Sequence, residues 1–144
     1  MDTTNKQILR LSPNFSASEN WGLLRKINPA LIVLMQHIRR GLGLPIRINC
    51  AYETGGHSNN SQHYLGNAVD FSVNGGANFV STYNIINDIL ILAEMQDEVG
   101  FGVYPFWNTP GFHIDVRGSR ARWGMAKNKD YVGIDIAIHD FEND

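Results

Sequence analysis

The sequence predicts one α+β domain over residues 1–144, with a mostly antiparallel sheet and two main helices. Three observations carry this expectation. Two segments, 28–43 and 78–95, space their apolar residues by threes and fours. Several shorter runs alternate apolar and polar residues between Gly, Pro and Asn turns. The chain is also 43% hydrophobic, and a domain of this length buries roughly 68–70% of its unfolded surface, enough for one core.

Residues 1–20 are polar and turn-prone, punctuated by Ser12-Pro13-Asn14 and Ser16-Ala17-Ser18. Asn28-Pro29 opens the first helix, because Asn caps well and Pro suits the first helical position. Leu31, Leu34, Met35 and Ile38 follow at helical spacing, and Gly41 and Gly43 supply the stop. Pro45 to Tyr52 alternates as a strand does, and the Gly, Ser and Asn residues of 53–60 make a loop. Ala68 to Val73 is a second strand, with Val69, Phe71 and Val73 on one face and Ala68, Asp70 and Ser72 on the other. Asn74-Gly75-Gly76 ends it.

The second helix spans about Asn78 to Met95, with Phe79, Tyr83, Ile86, Leu90 and Ala93 as its apolar stripe. Val99 to Tyr104 is a short strand, Asn108 to Gly111 a turn, and Phe112 to Val116 the next strand. Arg117, Arg120 and Arg122 mark a mobile basic stretch leading to Trp123, and Tyr131 to Ile138 alternates again.

Composition excludes several function classes. Twelve basic against 14 acidic residues leave a net charge of −2, so no electrostatic case exists for nucleic acid or a membrane surface. Cys50 is the only cysteine, which removes an internal disulfide and any multi-Cys metal site. The N-terminus, Met1 to Lys6, lacks the apolar core of a signal peptide, and no apolar run approaches the ~20 residues that span a bilayer. The expectation is a monomer made soluble in the cytoplasm without a signal peptide, with no membrane insertion.

The chemistry lies in two stretches, Ser61 to Asp70 and Phe112 to Arg117. On the second, His113, Asp115 and Arg117 share the face opposite Phe112, Ile114 and Val116. If the two strands are neighbours, His113 and Asp70 converge, and His63 arrives from the loop through the turn that Gly66 permits. Two His and one carboxylate leave a fourth position for water, a recurring ligand set of hydrolytic zinc sites. A lone His beside an apolar run is more often an ordinary core or surface residue. A carboxylate inside the run Ala68 to Val73 is harder to dismiss, since burying one is costly unless it is paired or holds a metal.

Ser61-x-His63-x-x-Gly66-x-Ala68-x-Asp70, followed by Phe112-His113-Ile114-Asp115, resembles the paired signature of zinc D-alanyl-D-alanine carboxypeptidases and their endolysin relatives. That group also includes lysostaphin-type peptidases and the hedgehog signalling domain. The resemblance covers roughly residues 14–124, taking in Asn14-Phe15-Ser16 with Glu19, Val99 to Pro105 and Arg122-Trp123-Gly124. It implies a hedgehog/D-Ala-D-Ala peptidase-like fold and one zinc ion on His63, Asp70 and His113. It also implies a metal-activated water as nucleophile and peptidoglycan stem peptides as substrate. The lack of a signal peptide fits release by phage lysis machinery or carriage in a virion.

Two positions depart from the family pattern. An Arg is common where this chain has Glu53, after Ala51-Tyr52, and Arg117, Arg47 and Arg122 are candidates to replace it. Several relatives carry an acid three residues before the second histidine, where this chain has Pro110. Asp115 is the first choice of general base instead, one pleat repeat from His113; its alternative role is to orient a metal-bound His. Glu98 and Glu53 are reserves. Ser61 and Tyr52 are candidates for substrate binding, Ser61 by resemblance and Tyr52 as a residue that lines the cleft. Tyr104 is weighed for the same place. His57, in a Gly-Ser-Asn loop, is expected to be solvated; His37 and His139 lack partners at ligand spacing, and Cys50 reads as a small buried side chain. A zinc-containing binding module without turnover, favoured by Glu53 and Pro110, and a metal-free structural domain are the alternatives.

Overall fold

The computed structural model describes residues 2–75 and 78–144, so Met1 and the Gly76 of the expected turn lie outside the described residues. Asn28 caps the helix Pro29–Leu42 by accepting a hydrogen bond from the Ala30 amide, and Gly43 ends it in the left-handed region at φ 68°. Asn78 caps Phe79–Leu92 in the same way, through the Ser81 amide. These two helices are α2 and α3. The N-terminal helix α1, Asp2–Arg10, and the C-terminal helix α4, Ile134–Glu142, complete four α-helices among the described residues.

The strands are β1 (Ile46–Cys50), β2 (Ala68–Val73), β3 (Gly100–Tyr104), β4 (Gly111–Asp115), β5 (Ala121–Met125) and β6 (Tyr131–Val132). They form one sheet in the order β1-β2-β4-β3-β5-β6. Every pairing is antiparallel except β3 with β5. The result is a single α+β domain with a mostly antiparallel sheet.

Three expectations are corrected. Residues 2–10 are helical rather than turns; the polar sequence conceals this because the helix is tied down by Asn5, whose buried amide donates to the Leu24 and Ile27 carbonyls. The basic stretch is not a mobile lead-in throughout, since Ala121 to Met125 is a sheet strand. Arg122 turns away from the sheet's polar face, donating to the Val99 and Gln96 carbonyls. The run Tyr131 to Ile138 is a two-residue strand followed by α4. Ile134, Ile136 and Ile138 alternate as a strand does, but Ile134, Ala137 and Ile138 also share a helical face, and packing decides: Ala137 is buried and Ile136 is exposed. Gly124 permits that contact, because a Cβ there would lie 2.5 Å from the Ala137 methyl.

Pleating divides the sheet into two chemistries. Val69, Phe71, Phe101, Val103, Phe112 and Ile114 are buried in the core with Leu31, Met35, Ile86 and Leu90 of the helices. The opposite face carries one register row across five strands: Cys50, Asp70, His113, Gly102 and Trp123. A register shift between Ile48 and Cys50 brings the cysteine opposite Asp70.

Candidate metal centre

Local sequence positions each ligand. Ser61 caps a single 3-10 turn, Gln62–Leu65, by accepting from the His63 amide at 3.2 Å. Gly66 closes that turn at φ 73°, where a Cβ would collide with the Lys26 carbonyl. Only glycine therefore lets the chain reverse and bring His63 over β2. Asp70 and His113 need no loop, since they sit directly opposite each other on β2 and β4.

The three side chains converge on one carboxylate oxygen. Asp70 Oδ1 lies 3.3 Å from His63 Nε2 and 3.0 Å from His113 Nδ1. The three ligand atoms are all within 4.8 Å of one another, an arrangement able to hold a metal ion. The remaining ring nitrogens are also fixed. His63 Nδ1 is 2.7 Å from the Ala51 carbonyl, which can only accept, so Nδ1 carries the proton and Nε2 presents a lone pair. His113 Nε2 is 2.7 Å from Asp115 Oδ2, which likewise directs Nδ1 toward Asp70.

Electrostatics follow from this packing. Burial would raise the Asp70 pKa, but the neighbouring His113 and then His63 imidazoles outweigh it and hold the carboxyl well below its usual range. Burial would lower the His113 pKa, yet the adjacent Asp115 and Asp70 carboxylates move it above the ordinary histidine value. Burial, with Asp70 second, pushes the Cys50 thiol far up; it donates to Asp70 Oδ2 at 3.4 Å. Cys50 and His57 also come within ligand reach of His63, so a second, overlapping set shares that imidazole.

The ligands open onto a cavity of about 610 Å3, within the size range of small-molecule sites. Ser61 and Arg117 line it, as do Tyr104 and His57. Tyr52 does not; it packs against the core and donates its amide to the Trp21 carbonyl. Asp115 is fully buried and absent from the cavity wall. It accepts from the Gly100 amide and the Arg117 amide, Nε and Nη2, as well as facing His113. With its oxygens so engaged, Asp115 has the geometry of the orienting role and lacks the access that a general base needs. The side chains of Glu53 and Glu98 also stay off the cavity wall, and Asp70 is its only carboxylate among the described residues.

Of the three cations, Arg117 reaches the cavity, whereas Arg47 and Arg122 do not. His37 and His139 lie on α2 and α4, away from the ligands. His57, expected to be solvated, is instead stacked on His63 with ring centroids 4.1 Å apart. Its backbone is clamped by Tyr64, whose hydroxyl accepts from the His57 amide and donates to the His57 carbonyl.

Sequence reasoning missed the aromatic wall of Trp107, Trp123 and Tyr131. A signal existed in Gly100-x-Gly102. Two glycines on one face of a buried strand announce that something large lies over them. A Cβ at Gly100 would collide with Asp115, and one at Gly102 would lie 2.5 Å from Trp123 Nε1. Comparison with family models, curated proteins and solved structures finds no match to this chain.

Proposed function

We propose that the chain is a zinc-dependent peptidase that hydrolyses peptidoglycan stem-peptide bonds next to D-amino acids, on a hedgehog/D-Ala-D-Ala peptidase-like fold. The convergence of His63 Nε2, Asp70 Oδ1 and His113 Nδ1 on the wall of a cavity carries the metal part. Similarity of the two His/Asp motifs to the D-alanyl-D-alanine carboxypeptidase and endolysin signature supplies the substrate. Zinc fits the donor set. Ligands about 2.0–2.2 Å from a tetrahedral ion lie roughly 3.3–3.6 Å apart; the His63–Asp70 separation of 3.3 Å meets this, and the His113–Asp70 separation of 3.0 Å is slightly shorter.

Bound there, the ion supplies Lewis acidity, polarising the scissile carbonyl and lowering the pKa of a water toward about 7. The chain's own groups do the rest. The Ala51 carbonyl and Asp115 hold the two imidazoles with their lone pairs on the ligand side. Arg117, with Nε and Nη2 held by Asp115, keeps Nη1 for a substrate oxygen and stands in for the cation displaced by Glu53. Ser61 spends a lone pair on the His63 amide and retains its hydroxyl proton for substrate. The protein acts as a monomer, and delivery by phage lysis machinery or a virion belongs to the same proposal.

One observation favours a second reading, a zinc-containing module that binds cell-wall peptides without turnover. Among the described residues, no carboxylate other than the ligand Asp70 faces the cavity. Purified cell walls incubated with zinc-loaded protein decide between the two. Release of stem-peptide fragments, seen by mass spectrometry and lost in His113→Ala, supports the peptidase; zinc bound one to one with no fragment released supports the module.

A further inference from the structure

The cavity reaches well beyond the metal ligands, and its two ends differ in chemistry. Sheet order places β3, β5 and β6 on one side of the His113 strand, and β2 and β1 on the other. The first side contributes Trp107, Trp123 and Tyr131. The second contributes the loop after β1, with Asn59, Asn60 and Gln62.

The aromatic side is held rigidly. The Tyr104 ring stacks on Trp107 at 4.1 Å between centroids, and its hydroxyl accepts a 2.7 Å hydrogen bond from Trp123 Nε1. One tyrosine thus fixes two indoles. Trp123 in turn lies 4.9 Å from the His113 ring, so the flat surface begins beside the ligands. The facing loop carries amides and hydroxyls and, from Ser58 to Gln62, no charge. It is held in place by the Tyr64 clamp on His57.

A free stem peptide does not explain this division. Its terminal and side-chain carboxylates call for cations, and Arg117 is the only Lys or Arg among the described residues lining the cavity. A hexopyranose does explain it. Its C–H face packs on an aromatic plane, and its hydroxyl edge needs groups that both donate and accept, as side-chain amides do. We infer that the Trp107–Trp123 wall and the Asn59–Gln62 loop form a saccharide subsite adjoining the metal centre, so that the substrate is a glycan-linked peptide. The inference deepens the proposed function and rests on it for the peptide half, whereas sugar binding itself requires no turnover.

The test is calorimetric titration of the zinc-loaded full chain with the N-acetylglucosamine tetramer and, separately, with a free stem pentapeptide. The tetramer is expected to bind native protein and His113→Ala alike. Trp107→Ala should weaken it at least tenfold without changing zinc content. Asn59→Ala, at an exposed loop position, should also weaken it and guards against a folding defect in the tryptophan variant. No tetramer binding at millimolar concentration, or equal binding by native, Trp107→Ala and Asn59→Ala proteins, overturns the subsite. Pentapeptide binding that depends on Trp107 in the absence of tetramer binding overturns it too, while leaving the peptidase proposal standing. Tetramer binding without cell-wall hydrolysis has the opposite meaning: the subsite holds and the peptidase proposal fails.

Discussion

Gly102 pairs with Trp123 across β3 and β5, and the indole occupies the space that a Gly102 side chain would need. With a Cβ only 2.5 Å from Trp123 Nε1, Gly102→Ala must move the ring and break its bond to Tyr104. Overpacking of this kind costs about 1–3 kcal/mol. Urea unfolding should show that loss, whereas Gly55→Ala, which meets open space, should change stability by less than ~0.5 kcal/mol.

Asp115 Oδ2 lies 2.7 Å from His113 Nε2. Asp115→Asn keeps the shape but gives up the charge that fixes the imidazole and anchors Arg117. Loss of such a partner typically weakens metal affinity by about 10–100-fold. Competition against a chromophoric chelator measures the change; unaltered affinity would show that His113 is oriented by something else.

The two overlapping ligand sets make opposite predictions. If His63, Asp70 and His113 hold the ion, Asp70→Ala loses zinc and His57→Ala keeps it. A site filled at 100 times its dissociation constant stabilises by about 2.7 kcal/mol, so zinc should raise the melting temperature of native and His57→Ala protein only. The reverse pattern would assign the ion to Cys50, His57 and His63.

Tyr64 clamps the loop over the cavity with two hydrogen bonds to the His57 backbone. Tyr64→Phe removes both, a loss of about 1–3 kcal/mol at ordinary strengths. Faster exchange of the His57 amide, with slow exchange retained in β4, is the expected signature. Uniform acceleration across the sheet would mean a global defect instead.

The candidate ligand cluster was legible because strand periodicity put Asp70 and His113 on polar faces and Gly66 marked the turn carrying His63. Both long helices were legible from their Asn caps and apolar spacing. What escaped was decided by tertiary contact. Nothing local in residues 2–10 reports that Asn5 bonds two distant carbonyls, and nothing in Tyr131 to Ile138 says that Gly124 awaits Ala137. The place of Asp115 was half legible: its face was right, but its burial depends on Gly100 and Arg117, which a single strand cannot reveal.

The pairing of β2 with β4 also sets an order of events in time. Asp70 and His113 are 43 residues apart in the chain, and only the closed sheet brings them to 3.0 Å. Closing a loop of that length is an entropic cost that the β2–β4 pairing carries with it. Under the proposed function, the complete His63–Asp70–His113 site exists only once these two strands have paired, so zinc uptake of native strength during refolding should never precede that pairing.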